Sequence, residues 1–248
     1  KGGKAFTNDG ISIKAENFEY NKILTTLISD GNVELRDSKK NIIIKANKIL
    51  YSKNNEIIIA EKNVELKDLK KNILIKADKI SYFKDQEKII ANKEVELKDL
   101  ELETIIRGDE ISYFKKEEKI IANKEVELID NKKDIFINTD RITYLKQKEK
   151  IFTEGKTIAS IHSKYNFFSK NVTFLKNEME LSSSYKTIIT DNTGSSYEVE
   201  NFNFQIKKEF LKASNISVIQ NTAAKIGESE RLFFESGFFD LKNKNFKT

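Results

Sequence analysis

The sequence predicts an all-β fold, an elongated and partly open antiparallel β-jelly roll built from about eight repeats of 30–31 residues. Three observations lead to this prediction. A pattern of aromatic and aliphatic residues returns at a fixed period along the chain. Inside each repeat, apolar residues alternate with polar ones, which is the period of a β-strand. The composition also favours strands, since isoleucine, phenylalanine and tyrosine are frequent while proline and tryptophan are absent.

The repeat is defined first by a column of aromatic residues. Another apolar residue precedes each member of the column by two positions, and an aliphatic residue follows each by seven. The early repeats add a "VEL" segment, such as 64–66, in which the first and last residues share the inward parity. The column consists of Tyr20, Tyr51, Tyr82, Tyr113, Tyr144, Phe174, Phe204 and Phe234.

Each repeat is expected to contain two long strands. Stretches of about ten residues lie between charged connectors such as "DLKKN" and "FKDQE", which is typical of an antiparallel meander with tight turns. The apolar parity slips near Ala46–Asn47 and again near Ala77–Asp78, so we expect a bend or bulge there in each case. Bends stacked in register would give two facing sheets, with the apolar columns inside and lysine, glutamate and aspartate outside.

The repeats predict a single domain over residues 1–248, regular over 8–160 and more divergent over 161–246. The chain begins with Lys1 and has no signal-peptide segment, which indicates a processed chain or a fragment. No run of 18 apolar residues is present, so no transmembrane helix is expected.

Composition argues against catalysis and against nucleic-acid binding. The chain has 44 basic and 39 acidic residues, no cysteine and one histidine, His162, which we expect on the surface of a strand. Lysines alternate with acids in the connectors, unlike a nucleic-acid patch. Asp78, Asp109 and Asp140 are interpreted as polar caps at the strand bends rather than calcium ligands. We therefore predict no catalytic residue, no metal, no cofactor and no nucleic-acid partner.

Several segments resemble a known repeat. "KAENFEY" (14–20) with "SDGNVEL" (29–35), and "KADKISY" (76–82) with "ANKEVEL" (91–97), resemble the OstA-like periplasmic repeat of the lipopolysaccharide transport family. The resemblance is closest over 8–160, although the glycine of the repeat is kept only at Gly31. The final "RLFFESGFFDLKNKNF" is similar to the stretch before the outer-membrane barrel of the assembly protein LptD. Among family members, the chain is thus most like the N-terminal domain of LptD, and such a barrel is expected after it.

The resemblance implies a periplasmic lipid-binding module, associated with the outer membrane in the full-length protein. It would take part in lipopolysaccharide transport and assembly, with lipid A acyl chains lying in an apolar groove between the two sheets. The residues expected to line this groove are Ile49, Tyr51, Ile58, Val64, Leu66, Ile80, Tyr82, Ile89, Val95, Leu97, Ile111, Tyr113, Ile120, Val126 and Leu128.

The resemblance also implies partners. An LptA-like bridge protein would add a strand to an unpaired edge near the N-terminus, because edge strands of a sheet accept further strands. The expected edge residues are Phe6, Ile11, Ile13 and Phe18. In the full-length protein the outer-membrane barrel and its lipoprotein partner would be further partners.

A second function class remains open from the residues alone. The same columns could close into a dry core, as in a structural β-repeat protein such as an adhesin or filament segment whose edges polymerise. A trough open along one seam would favour transport, and a sealed interior would favour the structural role.

Overall fold

The structure is a computed structural model that describes residues 2–8, 10–220, 230–243 and 245–247. The strands up to the middle of the chain are β1 (Gly3–Phe6), β2 (Ile11–Ala15), β3 (Asn17–Asn21), β4 (Thr26–Asp37), β5 (Ile42–Ser52), β6 (Ile57–Asp68), β7 (Ile73–Phe83), β8 (Lys88–Asp99), β9 (Thr104–Phe114) and β10 (Lys119–Asp130). The later strands are β11 (Ile135–Leu145), β12 (Lys150–Ile161), β13 (Tyr165–Lys170), β14 (Thr173–Leu175), β15 (Glu180–Ser183), β16 (Thr187–Asp191), β17 (Ser196–Gln205), β18 (Phe210–Gln220), β19 (Glu230–Asp240) and β20 (Asn245–Lys247).

The strands pair antiparallel, which confirms the predicted fold class. From β4 to β9 each strand is bonded along its length to the next one in the chain. These strands contain 11 or 12 residues, slightly more than the spacing predicted. The difference arises because residues assigned to the connectors, such as Asp68, still belong to the strands.

Each long strand bends near its middle, as the parity slip predicted. The register with the neighbouring strand shifts between Lys45 and Lys48, and again between Lys76 and Lys79. On the alternate strands the bend contains two consecutive left-handed residues, for example Lys93 (φ 65°) and Glu94 (φ 48°). The backbone therefore makes the bend in the middle repeats without the glycine that Gly31 supplies in the first one (φ 80°).

The bend gives each strand one inner face. In β7, Ile73, Ile75 and Ala77 are buried before the bend, and Ile80 and Tyr82 are buried after it. Both sets face the same interior because the slip of one residue is compensated by the turn of the strand. The two halves of the sheet thus lie face to face as two layers, with the apolar columns between them.

The chain divides into two compact units, Lys1–Val126 and Glu127–Thr248, and the boundary falls within β10. In the second unit the divergent repeats have strands that are interrupted at the bend. β12 pairs with both β13 and β14, β13 continues to β16, and β14 continues to β15. β17 then pairs with both β15 and β16. The assignment of 1–248 to a single domain stays a prediction.

Besides the strands, the part of the chain that the structure describes contains two 3-10 turns, at Lys146–Lys148 and Ile206–Lys208. Across the described ranges, no helix has the length and apolar character needed to cross a membrane. His162 is exposed, as expected, but it lies in the turn after β12 rather than in a strand. Asp140 caps a bend, since its Oδ2 accepts a hydrogen bond from the Lys156 amide at 3.2 Å.

Candidate functional site

The interior of each repeat is built from paired inward side chains on neighbouring strands. Between β7 and β8, Ile75 lies opposite Leu97, and Tyr82 lies opposite Ile89. Cross-strand pairs of this kind, aromatic or β-branched, stabilise a sheet by roughly 0.2–1 kcal/mol each. Equivalent pairs recur between β5 and β6, so the interior presents similar apolar surroundings in these neighbouring repeats. In the first repeat, by contrast, Tyr20 of the same column is 62% exposed.

Every residue predicted to line the groove is buried. Their exposed fractions lie between 0% and 2%, so the two layers pack against each other at these positions. At these positions the interior is closed, and contact with a lipid there stays a prediction. The set consists of Ile49, Tyr51, Ile58, Val64, Leu66, Ile80, Tyr82, Ile89, Val95, Leu97, Ile111, Tyr113, Ile120, Val126 and Leu128.

The tyrosines of the aromatic column carry buried hydroxyl groups. The Tyr113 hydroxyl lies 3.4 Å from Asp68 Oδ2 and donates to it, whereas the Tyr82 hydroxyl is buried without a hydrogen-bond partner. Burial raises the pKa of both tyrosines, and the negative charges of Asp37 at Tyr82 and of Asp68 at Tyr113 raise it further. A buried hydroxyl without a hydrogen-bond partner is destabilising. The Tyr82 hydroxyl therefore remains able to donate a hydrogen bond to a polar group that enters the interior.

The two layers are joined, on the side opposite the bends, by buried ion pairs. We call this line of contacts the seam and define it by the pairs Asp37–Lys84 and Asp68–Lys115 in the first unit and Asp130–Lys176 in the second. The lysine Nζ lies 3.9, 3.0 and 2.9 Å, respectively, from a carboxylate oxygen of its partner. All six side chains are buried. The partners are 46 or 47 residues apart, so each pair bridges connectors from different repeats.

A second row of polar contacts covers the seam toward solvent. Lys40 pairs with Glu87, and Lys71 pairs with Glu118. The hydrogen bond from Lys40 lowers the pKa of Glu87, with burial acting in the opposite direction. Lys115 Nζ also donates to the Lys40 carbonyl oxygen at 2.8 Å.

The same covering arrangement recurs in the second unit. Lys133 Nζ donates to the Lys176 carbonyl oxygen at 2.7 Å and lies 3.8 Å from a Glu149 carboxylate oxygen. Among the described residues, these contacts, which hold this side of each unit, are made by side chains.

The seam was missed when the connectors were interpreted as solvated turns. The signal was nevertheless in the parity of the sequence. Asp68 follows Leu66 by two positions, and Lys84 follows Tyr82 by two positions, so both continue the inward set. Both residues are buried in spite of their charge, because each forms an ion pair with an oppositely charged residue across the seam.

Of the four residues predicted to form the partner edge, two are exposed and two are buried. Phe6 is 74% exposed on β1, which within the described residues pairs only with β2. Phe18 is 37% exposed on β3, which there pairs only with β4. Ile11 and Ile13 are buried on β2, which is paired on both sides, by β1 and by β4.

Three exposed apolar residues that the sequence analysis did not single out for the edge lie in β3 and in the turn after it. They are Tyr20, Ile23 and Leu24. Exposed apolar residues beside an unpaired strand edge are typical of a surface that accepts another strand.

Comparison with known proteins agrees with the resemblance in the first half of the chain. Residues 12–119 match the family model described as LptA/(LptD N-terminal domain) LPS transport protein. This confirms the resemblance over those residues, which fall inside the regular repeats. No curated protein matches the chain.

A solved structure is also similar to this chain. It is the crystal structure of LptH, the LptA homologous periplasmic component of the conserved lipopolysaccharide transport device from Pseudomonas aeruginosa. The identity is 12%, the match covers 60% of this chain and 87% of that chain, and the TM-score is 0.26. A match with this TM-score carries no argument about function.

Proposed function

We propose that this chain is a periplasmic module of lipopolysaccharide transport whose apolar interior holds lipid acyl chains between its two layers. The observation that carries the proposal is the match of residues 12–119 to the lipopolysaccharide transport family model. The same segment contains the repeated inward columns of apolar residues, which have the character of a surface that binds acyl chains. In the full-length protein we expect the module to be associated with the outer membrane.

The interior has the chemistry that an acyl chain needs. Burial of each methylene group is favourable by roughly 0.8 kcal/mol, and it requires no side chain at a fixed position. Because neighbouring repeats offer equivalent pairs, such as Tyr51–Ile58 and Tyr82–Ile89, an acyl chain would find similar affinity at successive repeats. Sites of similar affinity permit movement along the interior, whereas one tight pocket would retain the lipid.

An acyl chain enters this interior only if the two layers separate. The groove residues are packed at 0–2% exposure, so no empty trough exists at these positions. Burial of a chain of about a dozen methylenes is favourable by on the order of 10 kcal/mol, and this gain offsets part of the cost of separating the layers. Binding is therefore expected to be coupled to opening.

The partner proposal uses the edge formed by β1 and β3. A bridge protein of the same family would add its terminal strand to β1, with Phe6 and Phe18 in contact with it. Ile11 and Ile13 would support this edge from the interior, because β2 is already paired on both sides.

Site-specific photo-crosslinking tests the proposal. A photoreactive phenylalanine analogue placed at Tyr82 or Leu97 in cells that make lipopolysaccharide is expected to form lipopolysaccharide adducts. The matched outward positions are Ser81 and Glu96, the immediate neighbours in sequence, and these should form few. Adducts from the outward positions alone, or from none of the four, would contradict the proposal.

The alternative, a structural β-repeat protein with a dry core, is favoured by one observation. Every groove candidate is buried, which is the expected state of a sealed core. This alternative predicts no lipid adduct from Tyr82 and assembly into filaments through the exposed edges. Sedimentation of the purified chain separates the two, since a filament former sediments as large species whose amount rises with concentration.

A further inference from the structure

We infer that the seam is a binding site for the phosphate group of an anionic amphiphile, whose phosphate replaces the aspartate carboxylates as partner of Lys84, Lys115 and Lys176. The inference rests on the proposed function, because the amphiphile's acyl chain would lie in the interior. It adds the side of entry and the groups that recognise the polar head.

The seam is the side of each unit that opens most readily. At the bends the two layers are continuous polypeptide, as at Lys76–Lys79 in β7. At the seam, the contacts described between the layers are made by side chains, including Asp68–Lys115 and the bond from Lys115 to the Lys40 carbonyl. Separation there would leave the pairings of the described strands intact.

The lysines are already arranged as an anion site. Lys176 Nζ lies 2.9 Å from Asp130 Oδ2, and Lys115 Nζ lies 3.0 Å from Asp68 Oδ2, so each ammonium group forms a close ion pair with a carboxylate oxygen. The carboxylate stands where a phosphate oxygen would bind. Two of the ammonium groups also lie over inward tyrosine rings, Lys84 Nζ at 5.6 Å from the centre of the Tyr51 ring and Lys176 Nζ at 5.5 Å from that of Tyr144.

An independent observation points to a polar ligand at the same place. The Tyr82 hydroxyl is fully buried and has no hydrogen-bond partner. It belongs to the same column as Tyr113, whose hydroxyl donates to the seam carboxylate Asp68. A head group bound at the seam would supply the acceptor that Tyr82 lacks.

Replacement of the aspartate carboxylate by a phosphate would keep each lysine paired when the two layers separate. Separation of the layers by an acyl chain would leave a lysine and an aspartate unpaired, which is strongly unfavourable inside a protein. A phosphate pairs with the lysine, and the aspartate, at the end of its strand, reaches water. A neutral head group offers no such compensation, so the seam discriminates by charge.

The test titrates the chain with dodecyl phosphate and dodecyl maltoside, two amphiphiles with the same hydrocarbon chain, below their micelle concentrations. Native mass spectrometry gives the affinity for each. We expect the wild-type chain to bind dodecyl phosphate at least about tenfold more tightly than dodecyl maltoside. A hydrogen bond to a charged group stabilises a complex by at least about this factor.

Three paired substitutions remove the seam charges without leaving one partner alone: Asp37→Asn with Lys84→Met, Asp68→Asn with Lys115→Met, and Asp130→Asn with Lys176→Met. Each is expected to reduce the preference for dodecyl phosphate, and their combination to abolish it while affinity for dodecyl maltoside is kept. The matched control is Glu65→Gln with Lys67→Met, an ion pair of 3.1 Å on the outer face of β6. It should keep the full preference.

A second measurement uses only the wild-type chain, in case the combined variant does not fold. An amine-acylating reagent followed by mass spectrometry reports access to Lys115, which is buried, against its exposed neighbour Lys116. Dodecyl maltoside is expected to raise acylation of Lys115 relative to Lys116 about tenfold or more. Dodecyl phosphate should leave it close to that of the free chain, because the phosphate covers the amine.

The outcomes separate the two proposals. If neither amphiphile binds, the proposed function is overturned and this inference with it. If both bind equally, or if the seam variants keep the preference for phosphate, only the inference is overturned. Unchanged acylation of Lys115 in the presence of bound dodecyl maltoside would likewise show that entry does not occur through the seam.

Discussion

Tyr113 and Asp68 belong to opposite layers of one unit, and the tyrosine hydroxyl donates to the carboxylate at 3.4 Å. Tyr82 occupies the equivalent position one repeat earlier, yet its hydroxyl has no partner. Two residues of one column thus have the same burial and different hydrogen bonding. The difference can be measured directly.

We expect Tyr82→Phe to stabilise the chain and Tyr113→Phe to destabilise it. Removal of an unpartnered buried hydroxyl is favourable by about 1 kcal/mol, and loss of a hydrogen bond to a charged group costs about 1.5–3 kcal/mol. Urea unfolding followed by circular dichroism gives both changes. Equal loss of stability in the two variants would show that Tyr82 has a partner in solution.

The bend in the middle repeats predicts a stabilising glycine. Lys93 has φ 65°, a left-handed conformation that costs a non-glycine residue about 1–2 kcal/mol. Lys93→Gly removes this cost but loses more entropy on folding, so a net gain of up to about 1 kcal/mol is expected. Urea midpoints provide the measurement.

The matched control for the bend is Lys67→Gly, a half-exposed lysine inside β6 that is regularly paired on both sides. Glycine inside a regular strand is expected to lower stability by about 0.5–1 kcal/mol. If Lys93→Gly lowers stability as much as Lys67→Gly does, the bend is not strained.

Acidification should weaken the cover of the seam. Lys40 lowers the pKa of Glu87 below its unfolded value of 4.5, so this carboxylate stabilises the fold above that pH. Its contribution is lost as the pH falls from 4.5 through the lower folded-state pKa. The stability difference between the wild-type chain and Glu87→Gln should therefore be present at pH 7 and shrink toward pH 3.

The control is the same substitution in a Lys40→Met background. Without the ammonium group the pKa of Glu87 is no longer lowered by that bond, so the pH dependence of the difference should largely disappear. Urea unfolding at several pH values gives both series. An undiminished pH dependence in the Lys40→Met background would assign the effect to another group.

Periodicity and parity predicted most of the fold because both are local properties of the chain. The slip near Ala77 placed the bend correctly, and Ile80 and Tyr82 are inward as expected. The seam could not be assembled in the same way, since Asp68 and Lys115 are 47 residues apart and meet only when the two layers face each other. Parity indicates that both point inward, but not that they form a pair.

The interruption of the later strands could not be predicted from local sequence patterns either. The divergence of residues 161–246 indicated that the repeat weakens, but not that it breaks at the bend between β13 and β14. Hydroxyl groups replace small apolar residues of the earlier bends in this part of the chain. Ser169 and Thr187, for example, are 2.7 Å apart through their Oγ and Oγ1 atoms in a buried position.

In the first unit the two partners of each seam pair are separated by the same number of residues. This constant separation limits the ways in which the chain can change its length. Asp37 meets Lys84 and Asp68 meets Lys115, each 47 residues further on, while the aromatic column advances by 31. Duplication or loss of one whole 31-residue repeat among the regular ones would move every partner together and preserve all pairings. Insertion of a few residues into a strand would break them. Evolution and engineering can thus lengthen or shorten the regular part of the module in whole repeats while its cross-section stays the same.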